Sequence, residues 1–127
     1  MEWNIKYVED KKILHVIFSG SLDLKKIIEM SKDAAAVSEK YDAYSILMDL
    51  TQITNPLPTL DIYKVPEMIE KAGITRRFKI AVLFSKYPDD FYFYETVSEN
   101  QGFTVRSFEG KDRDKAVEWL TNETYGK

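Results

Sequence analysis

Apolar and polar positions alternate from the start of the chain. Trp3, Ile5 and Tyr7 are separated by polar neighbours, the period-two signature of a half-buried strand. After the polar turn Glu9-Asp10-Lys11-Lys12, a short β-branched apolar run from Ile13 to Phe18 predicts a second strand. So short a link forces the two strands to run antiparallel. Gly20-Ser21 closes this hairpin, and Asp23 reads as a helix N-cap with Leu22 and Ile27 at the spacing of a hydrophobic staple. Leu24, Ile27, Ile28, Ser31, Ala35 and Ser38 then follow helical spacing, with small residues where the helix can approach a sheet. Ile46-Leu47-Met48 is wholly apolar and ends in Asp49, which predicts a central strand covered on both faces or on a crowded one.

Thr51 to Leu60, rich in proline and threonine, predicts a loop. A helix follows to about Ala72, with Gly73 as its stop. Pro66 within that span either starts a helical segment or kinks a longer one. Lys79 to Phe84 is another buried strand. Between Asp89-Asp90 and Gly102 lies Phe91-Tyr92-Phe93-Tyr94, a strand by propensity alone. The acidic pair at its start, and the need for a crossover between two strands, favour helix. Phe103 to Phe108 predicts the last strand. Asp112 to Asn122 predicts the last helix, with Ala116, Val117, Trp119 and Leu120 on its apolar face. The order ββαβαβαβα predicts one α/β domain over residues 1–127, with about five strands and about four helices. Its sheet is mixed and mostly parallel, edged by one antiparallel strand.

Composition narrows the class of function. At 127 residues the chain buries enough surface, roughly two-thirds of what it exposes unfolded, to stand without a metal or disulfide. The net charge of −3 disfavours nucleic acid, whose backbone calls for a basic surface. The chain contains no cysteine, which excludes a thiol nucleophile and a thiolate metal site. No apolar run approaches the roughly 20 residues of a membrane span, and the first residues carry no signal-like apolar stretch, so a cytoplasmic location is expected. A glycine-rich phosphate loop, a paired-histidine metal motif and a Gly-x-Ser-x-Gly elbow are all missing. The common nucleotide, zinc and serine-hydrolase chemistries are therefore disfavoured, and no cofactor is expected.

The residues then resemble a family. The element order, and the buried strand Ile46-Leu47-Met48-Asp49-Leu50-Thr51 ending before a loop, are similar to the anti-sigma-factor-antagonist (STAS) fold. The C-terminal third resembles STAS-like proteins grouped with the lipid-binding SEC14/CRAL-TRIO domains. That likeness is carried by Arg77 to Leu83, Tyr94-Glu95, Gly102 to Phe108 and Lys115 to Leu120. The resemblance implies a non-catalytic regulatory module working through protein contacts, or one that takes a small apolar ligand. In signalling members of the family, a serine in an Asp-Ser-Ser-Gly stretch after the central strand is phosphorylated. Here Thr54-Asn55-Pro56-Leu57-Pro58-Thr59 has neither serine nor glycine, so Thr59, just before a helix, is the nearest stand-in and Thr54 the second.

The candidate site residues divide into three groups. Asp49 and Thr51 end the central strand, at the edge where open α/β sheets bind ligands, although carboxylates there also commonly satisfy turns. Thr54, Thr59 and Leu60 belong to the loop and helix start that form the expected partner surface. Tyr87, Phe91, Tyr92, Phe93 and Tyr94 form the aromatic group. On a helix Phe91, Tyr94 and Val97 share one face, leaving Tyr92 and Phe93 for a pocket or an interface. A homodimer through that helix or the edge strand is expected, because an open edge is a pairing liability. His15, the only histidine, lies mid-strand in phase with Ile13 and Ile17. It is a potential general base with no nucleophile or carboxylate motif beside it in sequence.

Overall fold

The computed structural model describes residues 2–55, 57–85 and 102–122. Five strands form one sheet in sequential order: β1 (Trp3–Val8), β2 (Ile13–Ser21), β3 (Ser45–Asn55), β4 (Lys79–Phe84) and β5 (Thr104–Glu109). β1 pairs with β2 antiparallel, and every later pairing is parallel. The described helices are α1 (Leu24–Tyr41), α2 (Thr59–Ile62), α3 (Val65–Lys71) and α4 (Arg113–Thr121), the last entered through a 3-10 turn at Gly110–Asp112. The element expected between Asp89 and Gly102 lies outside the described residues.

Strand parity assigns the two faces of the sheet, because successive side chains point to opposite sides. Leu14, Val16, Phe18, Ile46, Ile80, Val82, Phe84 and Val105 enter the larger core under α1 and α3. Ile13, Leu47, Ala81 and Leu83 enter a smaller one under Ala116, Trp119 and Leu120 of α4. The run Ile46-Leu47-Met48 is apolar throughout because β3 is covered on both sides.

α1 starts where Asp23 accepts a hydrogen bond from the Lys26 amide at 2.8 Å, the N-cap anticipated from the sequence. Its buried residues are Ile27, Met30, Ser31, Ala34 and Ser38. Helical spacing holds, but the buried stripe is centred on Met30 and Ala34, and Ile28 and Ala35 are only half-buried. The helix after β3 is two short ones. Pro66 lies in the first turn of α3, so it starts a segment and does not kink a longer helix. α3 ends in a Schellman turn. The Ile74 amide reaches the Ile69 carbonyl at 2.9 Å and Gly73 takes φ 110°. A Cβ on Gly73 would stand 2.9 Å from Cβ of Ala35, so glycine also allows α3 to lie close against α1.

One sequence expectation is corrected at the site itself. β2 runs to Ser21 and β3 to Asn55, so Thr51–Asn55 is strand and not loop. The polar tail of β3 is held by its backbone ladder to the far end of β2, with Ser19 opposite Gln52, Gly20 opposite Ile53 and Ser21 opposite Asn55. Propensity, which measures side-chain fit, does not register such a ladder. Ile17 opposes Asp49 while Ser19 opposes Gln52, so β3 carries one extra residue just past Asp49. This bulge swaps the faces of the strand. Asp49 and Thr51 point toward α4, yet Ile53 joins the larger core. At the other end of the sheet, the last strand lies one residue later than expected, over Thr104–Glu109.

Candidate functional site

Asp49 lies mid-strand in β3, just before the bulge, on the face that α4 covers, and is only 3% exposed. Both of its oxygens are used. Oδ1 accepts from the Thr51 amide at 2.9 Å and from the Thr51 hydroxyl at 2.6 Å. Oδ2 accepts from Nη2 of Arg113, the first residue of α4, at 2.6 Å. The other guanidinium nitrogen, Nη1, stands 3.1 Å from Nε2 of His15 on β2, and that Nε2 is 3.9 Å from the Asp49 carboxylate. Parity gathers the group: residues 15, 49 and 51 share the face that α4 covers.

Arginine carries donors only, so the Arg113–His15 contact requires a lone pair on Nε2. The contact is thus that of the neutral ring with its proton on Nδ1, Nε2 accepting from Arg113. Burial, then the positive charge of Arg113, holds the His15 pKa below the usual 6.5 against the opposing pull of Asp49. Burial pushes the Asp49 carboxyl up, but the two Thr51 hydrogen bonds and the Arg113 guanidinium outweigh it and keep the pKa below its ordinary value. Among the described residues no group of three or more potential metal ligands is found.

Sequence reasoning anticipated local hydrogen bonding by Asp49 and Thr51, but at a strand end before a loop, whereas both lie within β3. It did not anticipate that His15 would meet Asp49, and it missed Arg113, which lies 64 residues from Asp49 and 98 from His15. No local signal marks such a contact. Only strand parity combined with the packing of α4 brings the three together.

Of the partner-surface residues, Thr54 is exposed on the tail of β3 and Thr59 opens α2. Leu60 is 77% exposed and Tyr63, one turn on, is 52% exposed. With Tyr41 they are the exposed large hydrophobic residues among those described. Tyr87, Phe91, Tyr92, Phe93 and Tyr94 lie outside the described residues.

On the opposite side of the sheet from α4, the larger core holds a partly open apolar pocket of about 130 Å³. Its walls come from α1 (Met30, Ala34), the strands (Met48, Val82), Leu57 before α2 and Ile62 within it, and Ser31 is the sole polar side chain lining it among the described residues. None of the described helices is long and apolar enough to cross a membrane.

No protein-family model matches the chain, and no curated protein does. Among solved structures it is similar to the anti-sigma factor antagonist SpoIIAA in its unphosphorylated form. The identity is 12% and the TM-score 0.46, over 91% of this chain and 97% of that one. The chain itself is a mixed α/β fold: a five-stranded sheet in sequential order, parallel except for its first strand and covered by helices on both faces.

Proposed function

We propose that this chain is a non-catalytic regulatory module that works through protein contacts made at α2. The observation that carries this reading is the exposure of Leu60 and Tyr63 together, just past the carboxyl end of the central strand. A leucine left mostly in water forgoes much of the roughly 1.5–3 kcal/mol that burying it would give, and a partner surface recovers that energy. The exposed Thr54 and the start of α2 at Thr59 extend the same edge. Phosphate on Thr59 would add about two negative charges beside Leu60, enough to switch an apolar contact off or to recruit a basic one. In the expected experiment a photo-crosslinking residue replaces Tyr63 in the native host, with Lys111 as the control position. A discrete adduct from position 63 that disappears with Leu60→Asp supports the reading. The substitution should weaken that contact at least about tenfold. Equal labelling from both positions, or adducts unchanged by Leu60→Asp, would overturn it.

A second reading, uptake of a small apolar ligand, is favoured by the pocket. The pocket walls are almost wholly apolar, so an occupant that fits would remove apolar surface from water and stabilise the fold. Benzene is a suitable probe. At about ten times its Kd it would add about 1.4 kcal/mol, or several degrees in Tm. Ala34→Leu, which extends a side chain into the pocket, should abolish the shift. A wild-type Tm indifferent to benzene, or a shift that survives Ala34→Leu, excludes this reading.

A further inference from the structure

We propose that His15, Arg113 and Asp49 form an acid-sensitive latch that holds the first turn of α4 on the sheet and releases it when His15 takes a proton. α4 is fastened at both ends. At its start Arg113 donates to His15 and to Asp49. At its end the Lys79 ammonium, projecting from β4, reaches the Trp119 carbonyl and, at 3.5 Å, the Asn122 carbonyl. Between these points Ala116, Trp119 and Leu120 cover Ile13, Leu47, Ala81 and Leu83.

The two fastenings respond differently to acid. Lysine remains a donor throughout the acid range, so the C-terminal end stays hinged. Protonated His15 has no lone pair on Nε2, and its N–H then faces the Arg113 guanidinium. The same proton lets His15 pair with Asp49 Oδ2, the oxygen that Arg113 uses at neutral pH. Asp49 exchanges one cation for another and stays satisfied, whereas Arg113 loses both partners. Among the described residues, the charged groups facing His15 are Lys6 on β1, Asp49 on β3 and Arg113 on α4. Lys6 adds to the repulsion felt by protonated His15, and Arg113 is free to swing outward because its side chain is already 42% exposed. Lifting the start of α4 uncovers the apolar underside of the sheet.

His15 is the only histidine, so its ring signals in an NMR titration of the full chain report its pKa without assignment ambiguity. Titration below 6.5 is expected, because the folded latch favours the neutral ring. Hydrogen-exchange protection factors of the Ala116 and Val117 amides, normalised for intrinsic rates, should drop about tenfold or more between a pH one unit above the measured His15 pKa and a pH one unit below it. Those of Leu14 and Val82 in the sheet should hold. His15→Gln keeps an acceptor oxygen for Arg113 but cannot be protonated in this range, so its helix should stay protected at both pH values. Arg113→Met removes the donor and should leave the helix poorly protected at both. The latch is overturned if His15 titrates at or above 6.5, if wild-type α4 is equally protected at both pH values, or if His15→Gln loses protection as the wild type does.

Discussion

Phe18→Ala should destabilise the protein by about 3–5 kcal/mol and lower its Tm by about 10–20 °C. Phe18 sits on β2 with no exposed surface, in the larger core, with its ring stacked 6.3 Å from Trp3 of the edge strand. Truncation removes the transfer energy of the ring. It also opens a void beside a core that already holds an apolar pocket of about 130 Å³, and it leaves β1 without the contact that seats Trp3. Against a total stability of roughly 5–15 kcal/mol, this loss leaves little margin. Leu60→Ala is the contrasting case: an exposed side chain outside the core should change stability by less than about 0.5 kcal/mol. Urea unfolding followed by tryptophan fluorescence distinguishes the two. A Phe18→Ala midpoint near wild type would mean that the packing around β2 is looser than its burial implies.

The strand that carries Phe18 was legible in the sequence, because Ile13 to Phe18 is a short β-branched apolar run just after a polar turn. The same holds for β4, whose bounds Lys79–Phe84 match the expectation, and for Asp23 and Gly73, whose backbone roles follow from residue chemistry. Signals of this kind are local: each depends on a few neighbouring residues. The tail of β3 was not legible, because Thr51 to Asn55 has the composition of a loop and is strand only through its ladder to β2. The bulge after Asp49 arises from the register between two strands, and it decides that Ile53 turns to the larger core while Asp49 and Thr51 face α4. Arg113 illustrates the point most directly. In sequence it is one more charged residue at a helix start. It becomes the partner of a buried carboxylate and a neutral histidine only once the sheet is assembled and α4 is laid across it. The fold was written in periodicity, and the polar cluster in long-range contacts that periodicity cannot encode.

Asp49→Ala should cost about 2–3 kcal/mol at neutral pH, the worth of hydrogen bonds to a buried charged group. The alanine leaves the Thr51 amide and hydroxyl without their acceptor, and Arg113 without its 2.6 Å partner. Arg113 is partly exposed and can turn to water, which keeps the loss below that of breaking a fully buried pair. The pH dependence carries the sharper test. The folded-state pKa of Asp49 lies below its unfolded value, near 3.8, so the unfolded chain binds a proton here more readily than the folded one. The stabilisation is therefore fully present above that unfolded value and is lost as pH falls through the lower, folded one. His15 acts in a separate window. Its folded pKa lies below 6.5, so its contribution is complete above 6.5 and declines as pH falls from there toward the folded value. The gap in unfolding free energy between wild type and Asp49→Ala should thus be wide at about pH 6 and close as the pH drops below about 3.8. Asp49→Asn, which keeps the shape and one acceptor oxygen but no charge, should fall between the two. A gap that stays constant across this range would mean that Asp49 contributes by filling space and not by its charge, and Arg113 would then lose its role as the anchor of α4.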